Sequence, residues 1–243
     1  MNNRTVLITG AAKRIGAAIA RTVHEQGMNI VIHYNRSRLD AETLVGDLNG
    51  HRPDSALAVQ ADLADPDAAA KVINAAVAFK NRLDVLVNNA SAFYPTPVGD
   101  FKQESWDELV NVNLKAPLFL SQAALPYLTK RKGCIINLTD IHASRPLKHH
   151  TIYSVSKAGL VMLTKSLARE LGPDIRVNAV SPGAIIWPES MDEKTQKEIL
   201  SRITLRSRGG AEDIANAVLY LIDNADYMTG QILTVDGGRS LYT

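Results

Sequence analysis

Length, composition and charge already exclude several classes of protein. The chain has 243 residues, of which 46% are hydrophobic, and this is enough for one large domain with a substantial core. A formal net charge of +2 is too small to indicate a nucleic-acid partner. The single cysteine, Cys134, excludes an intrachain disulfide and is typical of a cytoplasmic protein. The opening MNNRTVLITG lacks the pattern of a signal peptide and no apolar run would span a bilayer, so we expect neither export nor membrane insertion.

Strand-like and helix-like segments alternate along the chain. Runs of β-branched and apolar residues predict strands at residues 5–9, 29–34, 56–60, 85–90, 134–139, 176–180 and 231–238. Apolar residues at helical spacing predict helices over residues 14–26, 38–48, 66–80, 104–128, 153–171 and 212–224. We expect Pro66 in a first helical turn, and Pro117 and Pro126 as possible kinks. Residues 186–210 are polar and irregular, and we expect them to form a substrate loop.

This alternation predicts an α/β fold in a single domain covering residues 1–243. Alternating units favour a Rossmann-like, doubly wound parallel sheet with helices on both faces. Ligands of such sheets bind at the carboxyl ends of the strands. Residues that directly follow a predicted strand are therefore the first candidates for a site.

The first strand ends in such a candidate, the turn TGAAKRIG from Thr9 to Gly16. Its first glycine permits a tight turn, and the helix that follows offers free N–H groups and a positive dipole end to a phosphate. The match to the G-x-G-x-x-G fingerprint is incomplete, because Arg14 replaces the middle glycine. An ordinary strand-to-helix turn is the alternative, but the order of strand, turn and helix favours dinucleotide binding.

The end of the second predicted strand indicates which dinucleotide is bound. NAD sites place an acid there to hold the ribose 2′-OH, whereas this chain has HYNRSR with Arg36 and Ser37. An arginine makes forked hydrogen bonds to a 2′-phosphate and a serine donates one more, while Arg14 adds a second cation. We therefore predict NADPH as the cofactor. A solvated basic helix start is the alternative, and it is electrostatically poor at a helix N-terminus.

Tyr153 and Lys157 form a possible acid–base pair, because spacing of i and i+4 puts them on one helix face. A tyrosine hydroxyl has a pKa of about 10 in model peptides, and a nearby ammonium is expected to lower it. That would suit a proton donor working near neutrality. An ordinary pair on a helix surface is the alternative reading of this spacing alone.

Asp140 follows the strand CIINLT and lies thirteen residues before Tyr153. A neutral hydroxyl at such a position would stabilise the oxyanion of a carbonyl reduction, whereas a carboxylate would repel it. Reduction of a C=N bond instead requires a proton at nitrogen, and an acid beside the phenol helps to move it. A simple loop cap is the alternative role.

Several motifs in order resemble the short-chain dehydrogenase/reductases over essentially the whole chain. They are TG-x-x-x-R-x-G at residues 9–16, Asp62, NNA at residues 88–90, Asn113 in NVNL, YSVSK at residues 153–157, and Pro182-Gly183. The resemblance implies a Rossmann-like sheet of seven parallel strands. It also implies that Asp62 contacts adenine, that Lys157 binds the nicotinamide ribose and that Asn113 holds a water in a proton relay. The residues expected to bind NADPH are Gly10, Arg14, Ile15, Gly16, Tyr34, Asn35, Arg36, Ser37, Asp62, Leu63, Asn89, Ala90, Ser91, Tyr153, Lys157, Pro182 and Gly183.

Three departures within that superfamily resemble the pteridine reductases. Arg14 replaces a glycine, the NNA turn continues as SAFYPTP, and Asp140 stands where a catalytic serine is usual. The resemblance implies that Asp140 and Tyr153 form the proton-donating pair and that Phe93 sandwiches a pterin against the nicotinamide. Arg14 and Ser91 would also contact the substrate. Without the resemblance, core packing would be the better interpretation of Phe93.

The sequence therefore predicts an NADPH-dependent reductase of a dihydropterin or dihydrofolate, with Asp140, Tyr153, Lys157 and Asn113 as catalytic residues. The rival interpretations are a carbonyl reductase, for example of a 3-oxoacyl thioester, and a non-catalytic NADPH-binding regulator. The resemblance also implies a homotetramer built on the helices at 104–128 and 153–171. We expect no metal site, since His142, His149 and His150 match no metal-binding spacing.

Overall fold

The computed structural model describes residues 3–185 and 192–242, and the strands found there form one parallel sheet. The strands are β1 Thr5–Ile8, β2 Asn29–Tyr34, β3 Ala56–Gln60, β4 Val85–Asn88, β5 Cys134–Leu138, β6 Arg176–Pro182 and β7 Ile232–Val235. Their order across the sheet is β3-β2-β1-β4-β5-β6-β7, and each neighbouring pair is parallel. The predicted Rossmann-like α/β domain of seven strands is thereby confirmed.

Helices cover both faces of this sheet. They are α1 Arg14–Glu25, α2 Arg38–His51, α3 Ala68–Lys80, α4 Gln103–Val110, α5 Ala116–Arg131, α6 Thr151–Leu171, α7 Glu193–Ser201 and α8 Ala211–Asp223. A π-helical turn, Asn111–Lys115, joins α4 to α5, and short 3₁₀ turns span Ile141–Ala143 and Arg239–Leu241. Within the described residues, no helix is long and apolar enough to cross a membrane.

The core lies in two layers because successive side chains of a strand point to opposite faces of a sheet. On β1, Val6 and Ile8 pack with buried residues of α1, α2 and α8. Leu7, between them, packs with buried residues of α3 and α5 on the other face. Burial on both faces explains why the central strands read as continuous apolar runs in the sequence.

The helix predicted over residues 104–128 is interrupted, and the interruption precedes the two prolines expected to kink it. The π-helical turn Asn111–Lys115 separates α4 from α5, and the N–H of Ala116 bonds to the carbonyl of Asn111. Pro117 explains this position, since it has no N–H to donate to the carbonyl four residues back, at Asn113. Pro126 lies within α5.

The polar segment predicted to be irregular contains a helix, α7, so that part of the prediction is wrong. The Asp192 carboxylate caps it by accepting from the Thr195 N–H at 2.8 Å. An ion pair of i, i+4 type, Glu198 with Arg202 at 2.7 Å, lies on its surface. The helix has no buried residue, so apolar periodicity could not reveal it. The first part of the expected substrate loop, residues 186–191, lies outside the described residues.

The third helix also begins later than predicted. Pro66 lies in the turn before α3, where the Ala68 N–H bonds to the Asp65 carbonyl at 3.2 Å, and not in the first helical turn itself.

Candidate active site

The strand order reverses between β1 and β4, which places the turns after these two strands side by side. Gly10 has a φ of +60°, and a Cβ there would lie 2.9 Å from the Cα of Ala90. The Asn89 side chain donates to the carbonyls of Thr9 and Gly10 at 2.8 and 3.0 Å, and the Thr9 hydroxyl accepts from the Ala90 N–H at 3.0 Å. These contacts join the glycine turn and the NNA turn into one rigid surface.

Two backbone features restrict which residues can occupy the start of α1. A Cβ at Gly16 would lie 2.5 Å from the Gly10 carbonyl oxygen, so only glycine fits there. Arg14, which occupies the place of the fingerprint's middle glycine, keeps a glycine-like φ of +56°. A left-handed conformation costs a residue with a side chain about 1–2 kcal/mol. The exposed side chain of Arg14 lies at the N-terminus of α1, and the half-buried Ile15 follows it.

A buried histidine that the sequence reasoning missed supports the same turn. The His33 ring lies within β2 and is bonded at both nitrogens, to the Gly10 N–H at 3.2 Å and the Ala61 carbonyl at 3.1 Å. Because a carbonyl only accepts, Nε2 carries the proton and Nδ1 accepts from Gly10. Burial lowers the His33 pKa to about 4, so the ring is neutral near pH 7. A polar residue inside the apolar run NIVIHY was the available signal.

The ends of β2 and β3 carry the residues predicted to select the cofactor. Arg36 is exposed, whereas neighbouring cations are paired: Lys13 with Asp40 at 2.9 Å and Arg38 with Glu42 at 2.7 Å. Within the described chain, neither Arg14 nor Arg36 forms an ion pair.

Hydrogen-bonding groups near Arg36 are likewise available. Ser37 is the N-cap residue of α2, yet its hydroxyl caps nothing, and Tyr34 and Asn35 precede it at the strand end. Asp62 follows β3 and accepts from the Ala64 N–H at 3.0 Å, beside the buried Leu63. This set of donors and cations fits a phosphorylated ribose next to the glycine turn.

Asp140, Tyr153 and Lys157 meet at the carboxyl end of β5. The Tyr153 hydroxyl donates to Oδ2 of Asp140 at 2.7 Å, while Oδ1 accepts from the His142 N–H at 2.8 Å. Lys157 donates to the Leu138 carbonyl at 2.8 Å, and its Nζ lies 5.8 Å from the centre of the Tyr153 ring. Tyr153 is only 4% exposed and Lys157 only 2%, so they are not an ordinary surface pair. Asp140 caps its loop and also contacts the phenol.

The electrostatics of the pair differ from the sequence expectation. Burial and the Asp140 carboxylate raise the pKa of Tyr153 well above its usual value, so the prediction of a lowered pKa is wrong for the protein alone. Burial also lowers the pKa of Lys157 to about 8, although Asp140 opposes this shift. The carboxylate accepts a hydrogen bond from the phenol, whereas the Lys157 ammonium donates to the Leu138 carbonyl. The phenol is therefore held in its neutral, proton-carrying form.

Asn113 occupies the π-helical turn and is fully buried. Its Oδ1 accepts from the Ala92 N–H at 2.8 Å and the Ser91 hydroxyl at 3.1 Å. Its Nδ2 donates to the Ala92 carbonyl and to the Ser156 hydroxyl, both at 3.0 Å. An amide side chain has two donors and two acceptor lone pairs, so all positions are taken. The side chain ties the segment after β4 to α6 and has no position left for a water.

Phe93 does not pack in the core, because its side chain is 53% exposed. Its ring stacks on His150, with centroids 4.7 Å apart and planes 18° apart, and meets the Tyr153 ring edge to face at 4.7 Å. A bridge between Thr96 and His150 joins the two loops. The sequence reasoning considered His150 only as a possible metal ligand, and it missed this contact because the stacked residues are far apart in sequence. Together these rings form an aromatic wall beside the phenol.

The last predicted cofactor contacts, Pro182 and Gly183, lie where β6 ends, and the Gly183 N–H bonds to the Val235 carbonyl at 3.0 Å.

The described residues contain no group of three or more potential metal ligands. His142 and His150 each direct Nδ1 to a backbone carbonyl, of Arg145 and Lys148 respectively. The structure therefore brings the glycine turn and the Asp140–Tyr153 pair to the same edge of the sheet, where β1, β4, β5 and β6 end.

Comparison with known proteins finds reductases that match nearly the whole chain. Residues 10–240 match the family described as enoyl-(acyl carrier protein) reductase. The chain is 37% identical to pteridine reductase 1 of Leishmania tarentolae, over 97% of this chain and 96% of that protein. It is also 37% identical to 3-oxoacyl-[acyl-carrier-protein] reductase FabG of Staphylococcus aureus (strain N315), over 97% of each chain. The corresponding reductase of Thermotoga maritima is 36% identical over 98% of each chain.

Proposed function

The chain belongs to the short-chain dehydrogenase/reductase superfamily of oxidoreductases, and on that premise we propose that it reduces a pterin with NADPH. A dihydropterin or dihydrofolate is the proposed substrate. Overall identity does not choose between a pterin and a 3-oxoacyl thioester, because the relatives of both kinds are equally similar. The proposal therefore depends on the chemistry of the site.

The observation that carries the proposal is the 2.7 Å hydrogen bond from Tyr153 to the Asp140 carboxylate. A carbonyl substrate develops negative charge on oxygen during reduction, and a carboxylate at this distance from the proton donor opposes it. A ring nitrogen of a pterin instead gains a proton. The Asp140 carboxylate can also accept hydrogen bonds from neighbouring N–H groups of a pterin.

The residues divide the chemistry as follows. NADPH, when bound, supplies the hydride. Tyr153 holds the proton that goes to the ring nitrogen, and its raised pKa keeps it protonated in the free protein. Asp140 orients that hydroxyl and binds N–H groups of the substrate. The buried Lys157 ammonium would donate to the nicotinamide ribose. One of its N–H groups already donates to the Leu138 carbonyl.

NADPH in preference to NADH is supported by Arg36 at the end of β2, which forms no ion pair with the described residues. Arg36 and Ser37 would hold the 2′-phosphate, and Arg14 would reach the cofactor phosphates from the first turn of α1. Asp62 and Leu63 would contact the adenine, while Pro182 and Gly183 would flank the nicotinamide. Since the Asn113 side chain is saturated, a water in the proposed relay would bind another group, and we assign it to the Asn113 backbone carbonyl, to which Pro117 has no N–H to donate.

The exposed Phe93 ring supports a flat substrate. One face of the ring is covered by His150, and the ring meets Tyr153 in a T-shaped arrangement. Stacking on an aromatic ring adds about 0.5–1.5 kcal/mol beyond area burial. Such a surface suits a planar heterocycle better than an extended acyl chain. Ser91 and Arg14 complete the proposed substrate contacts.

A homotetramer is also part of the proposal. The helices expected to form the interface carry large apolar side chains at the surface, which are Trp106, Leu118, Phe119, Val155 and Met162. Exposed apolar groups of this kind favour burial against another subunit. The mass measured by light scattering tests the assembly.

The deciding experiment compares NADPH oxidation with dihydrobiopterin and with an acetoacetyl thioester. We expect turnover with the pterin and little with the thioester. The reverse result would favour the carbonyl reductase, which the FabG relatives support. Complete inactivity with both, while NADPH still binds, would favour a non-catalytic NADPH-binding regulator.

A further inference from the structure

The chain after β7 forms a fixed turn at the edge of the site. Asp236 accepts from the Gly238 N–H at 2.8 Å through Oδ1 and from the Ser240 N–H at 2.7 Å through Oδ2. Gly237 and Gly238 have φ values of +63° and +81°, which allow the tight reversal. Arg239 begins the 3₁₀ turn that follows, so its backbone is positioned by hydrogen bonds on both sides.

This turn packs between the residues at the end of β6 and the last residues of the expected substrate loop. A Cβ at Gly183 would lie 2.5 Å from the Cβ of Asp236, so the turn packs directly against the predicted nicotinamide contact. On its other side, the Gly237 carbonyl accepts from the Leu205 N–H at 3.1 Å, and the Gly238 carbonyl accepts from the Thr204 hydroxyl at 3.2 Å. The segment is thus part of the site's wall.

Arg239 itself is half-buried and has no partner among the described residues. Its guanidinium forms neither a hydrogen bond nor an ion pair there. Burial lowers its pKa, and Asp140 is the carboxylate that most opposes this effect, ahead of Asp236, while Arg202 adds to the lowering. A partly buried guanidinium without hydrogen bonds costs stability, so folding does not explain its position. Arg239 and Asp140 therefore interact electrostatically, although they form no ion pair.

We propose that Arg239 is a substrate-binding residue, and that with Asp140 it recognises adjacent acceptor and donor groups on the edge of a flat heterocycle. This deepens the proposed function and rests on it. A guanidinium only donates, and an ionised carboxylate only accepts. We assign these two contacts to a carbonyl oxygen of the ligand, which accepts from Arg239, and to an adjacent N–H group, which donates to Asp140. The 2-amino-4-oxo edge of a pterin has this arrangement, whereas the ketone of an oxoacyl chain offers acceptors alone.

The test combines a change in the protein with a change in the ligand. The dissociation constants of pterin (2-amino-4-oxopteridine) and 2,4-diaminopteridine are measured by fluorescence quenching on the NADP⁺-saturated protein. Arg239→Leu should weaken pterin binding by about 10- to 100-fold, the loss typical of one hydrogen bond to a charged group. It should change binding of the diamino compound less than about 3-fold, because an amino group replaces the acceptor that Arg239 contacts.

Arg202→Leu is the matched control, because it removes a nearby, exposed cation that is paired with Glu198 at 2.7 Å. We expect it to change the binding of either ligand less than about 2-fold. An equal loss in the two variants, or an equal loss for the two ligands, would show a long-range charge effect and overturn the assignment. Arg239→Gln provides a second variant with a polar side chain, in case Arg239→Leu does not fold.

The failure of this proposal is distinguishable from failure of the proposed function. If wild-type protein binds and reduces pterins but both Arg239 variants do so equally well, Arg239 is not a substrate contact and the pterin activity stands. If wild-type protein neither binds nor reduces pterins, the proposed function and the role of Arg239 fall together.

Discussion

Replacing Asp140 by serine tests the residue on which the proposed chemistry depends. The carboxylate accepts from the Tyr153 hydroxyl through one oxygen and from the His142 N–H through the other. A serine has one oxygen on a shorter side chain, so it cannot place an acceptor at both positions that the two carboxylate oxygens occupy. Asp140→Asn is the matched variant, since it keeps the size of the side chain and an acceptor oxygen but removes the charge.

The magnitudes follow from those two contacts. The cap on the 3₁₀ turn is worth about 0.5–2 kcal/mol, and serine is itself a good capping residue, so the protein should stay folded. Loss of proton delivery at a positioned acid typically costs about 100- to 10,000-fold in rate. We therefore expect pterin turnover to fall by that order in Asp140→Ser, with weak reduction of a ketone or thioester appearing. NADPH affinity should change little.

The assay follows NADPH oxidation by wild type, Asp140→Ser and Asp140→Asn with a dihydropterin and with a 3-oxoacyl thioester. Thermal melting and NADPH titration confirm that each variant is folded and binds cofactor. If Asp140→Ser keeps full pterin activity, Asp140 is only a loop cap and the pterin assignment loses its chemical basis. If Asp140→Asn is as active as wild type, the charge is not required and the electrostatic argument fails.

Further predictions concern the cofactor, the acid and the aromatic wall. Arg36→Asp should weaken NADPH binding by about 2–4 kcal/mol and leave NADH little affected, so an unchanged NADPH/NADH preference would refute the assigned 2′-phosphate contact. Tyr153→Phe should lose most turnover at unchanged NADPH affinity, and near wild-type rates would remove the hydroxyl from the mechanism. His150→Ala should raise the pterin KM about 5-fold through loss of one ring stack, while His150→Phe restores it and His149→Ala, the control, has no effect. Turnover should decline as the pH rises through about 8, where the buried Lys157 loses its charge, and a pH profile without this decline would show that the ammonium is not needed.

The features predictable from the sequence are those fixed by local spacing. Tyr153 and Lys157 share a helix face because they are four residues apart, and Asp140 joins them because it directly follows β5. Parallel strands end at one edge of the sheet, so residues placed just after them converge without any knowledge of side-chain contacts. The alternation of apolar runs was enough to predict the α/β fold itself.

The features that could not be predicted depend on contacts between segments distant in sequence, or on helices such as α7 that have no apolar periodicity. His33 touches the turn at Gly10, and His150 stacks on Phe93, both across long stretches of sequence. The π-helical turn arises from a proline whose effect appears four residues earlier. The rise in the Tyr153 pKa depends on burial and on the contact with Asp140, neither of which follows from spacing along a helix.

Two residues of the site are costly to the folded chain, and the cost favours a functional explanation. Arg14 adopts a left-handed backbone that glycine would adopt freely, at about 1–2 kcal/mol, and its side chain forms no ion pair with the described residues. Asp140 places a carboxylate against a buried phenol and interacts electrostatically with Arg239, which forms no ion pair with the described residues. Neither arrangement improves packing, and a glycine and a neutral hydroxyl would satisfy the backbone at lower cost. Strain and unpaired charge of this kind persist where a ligand offsets them. We therefore infer that the departures at these two positions are explained by the anionic cofactor and the nitrogen heterocycle that the site is proposed to bind.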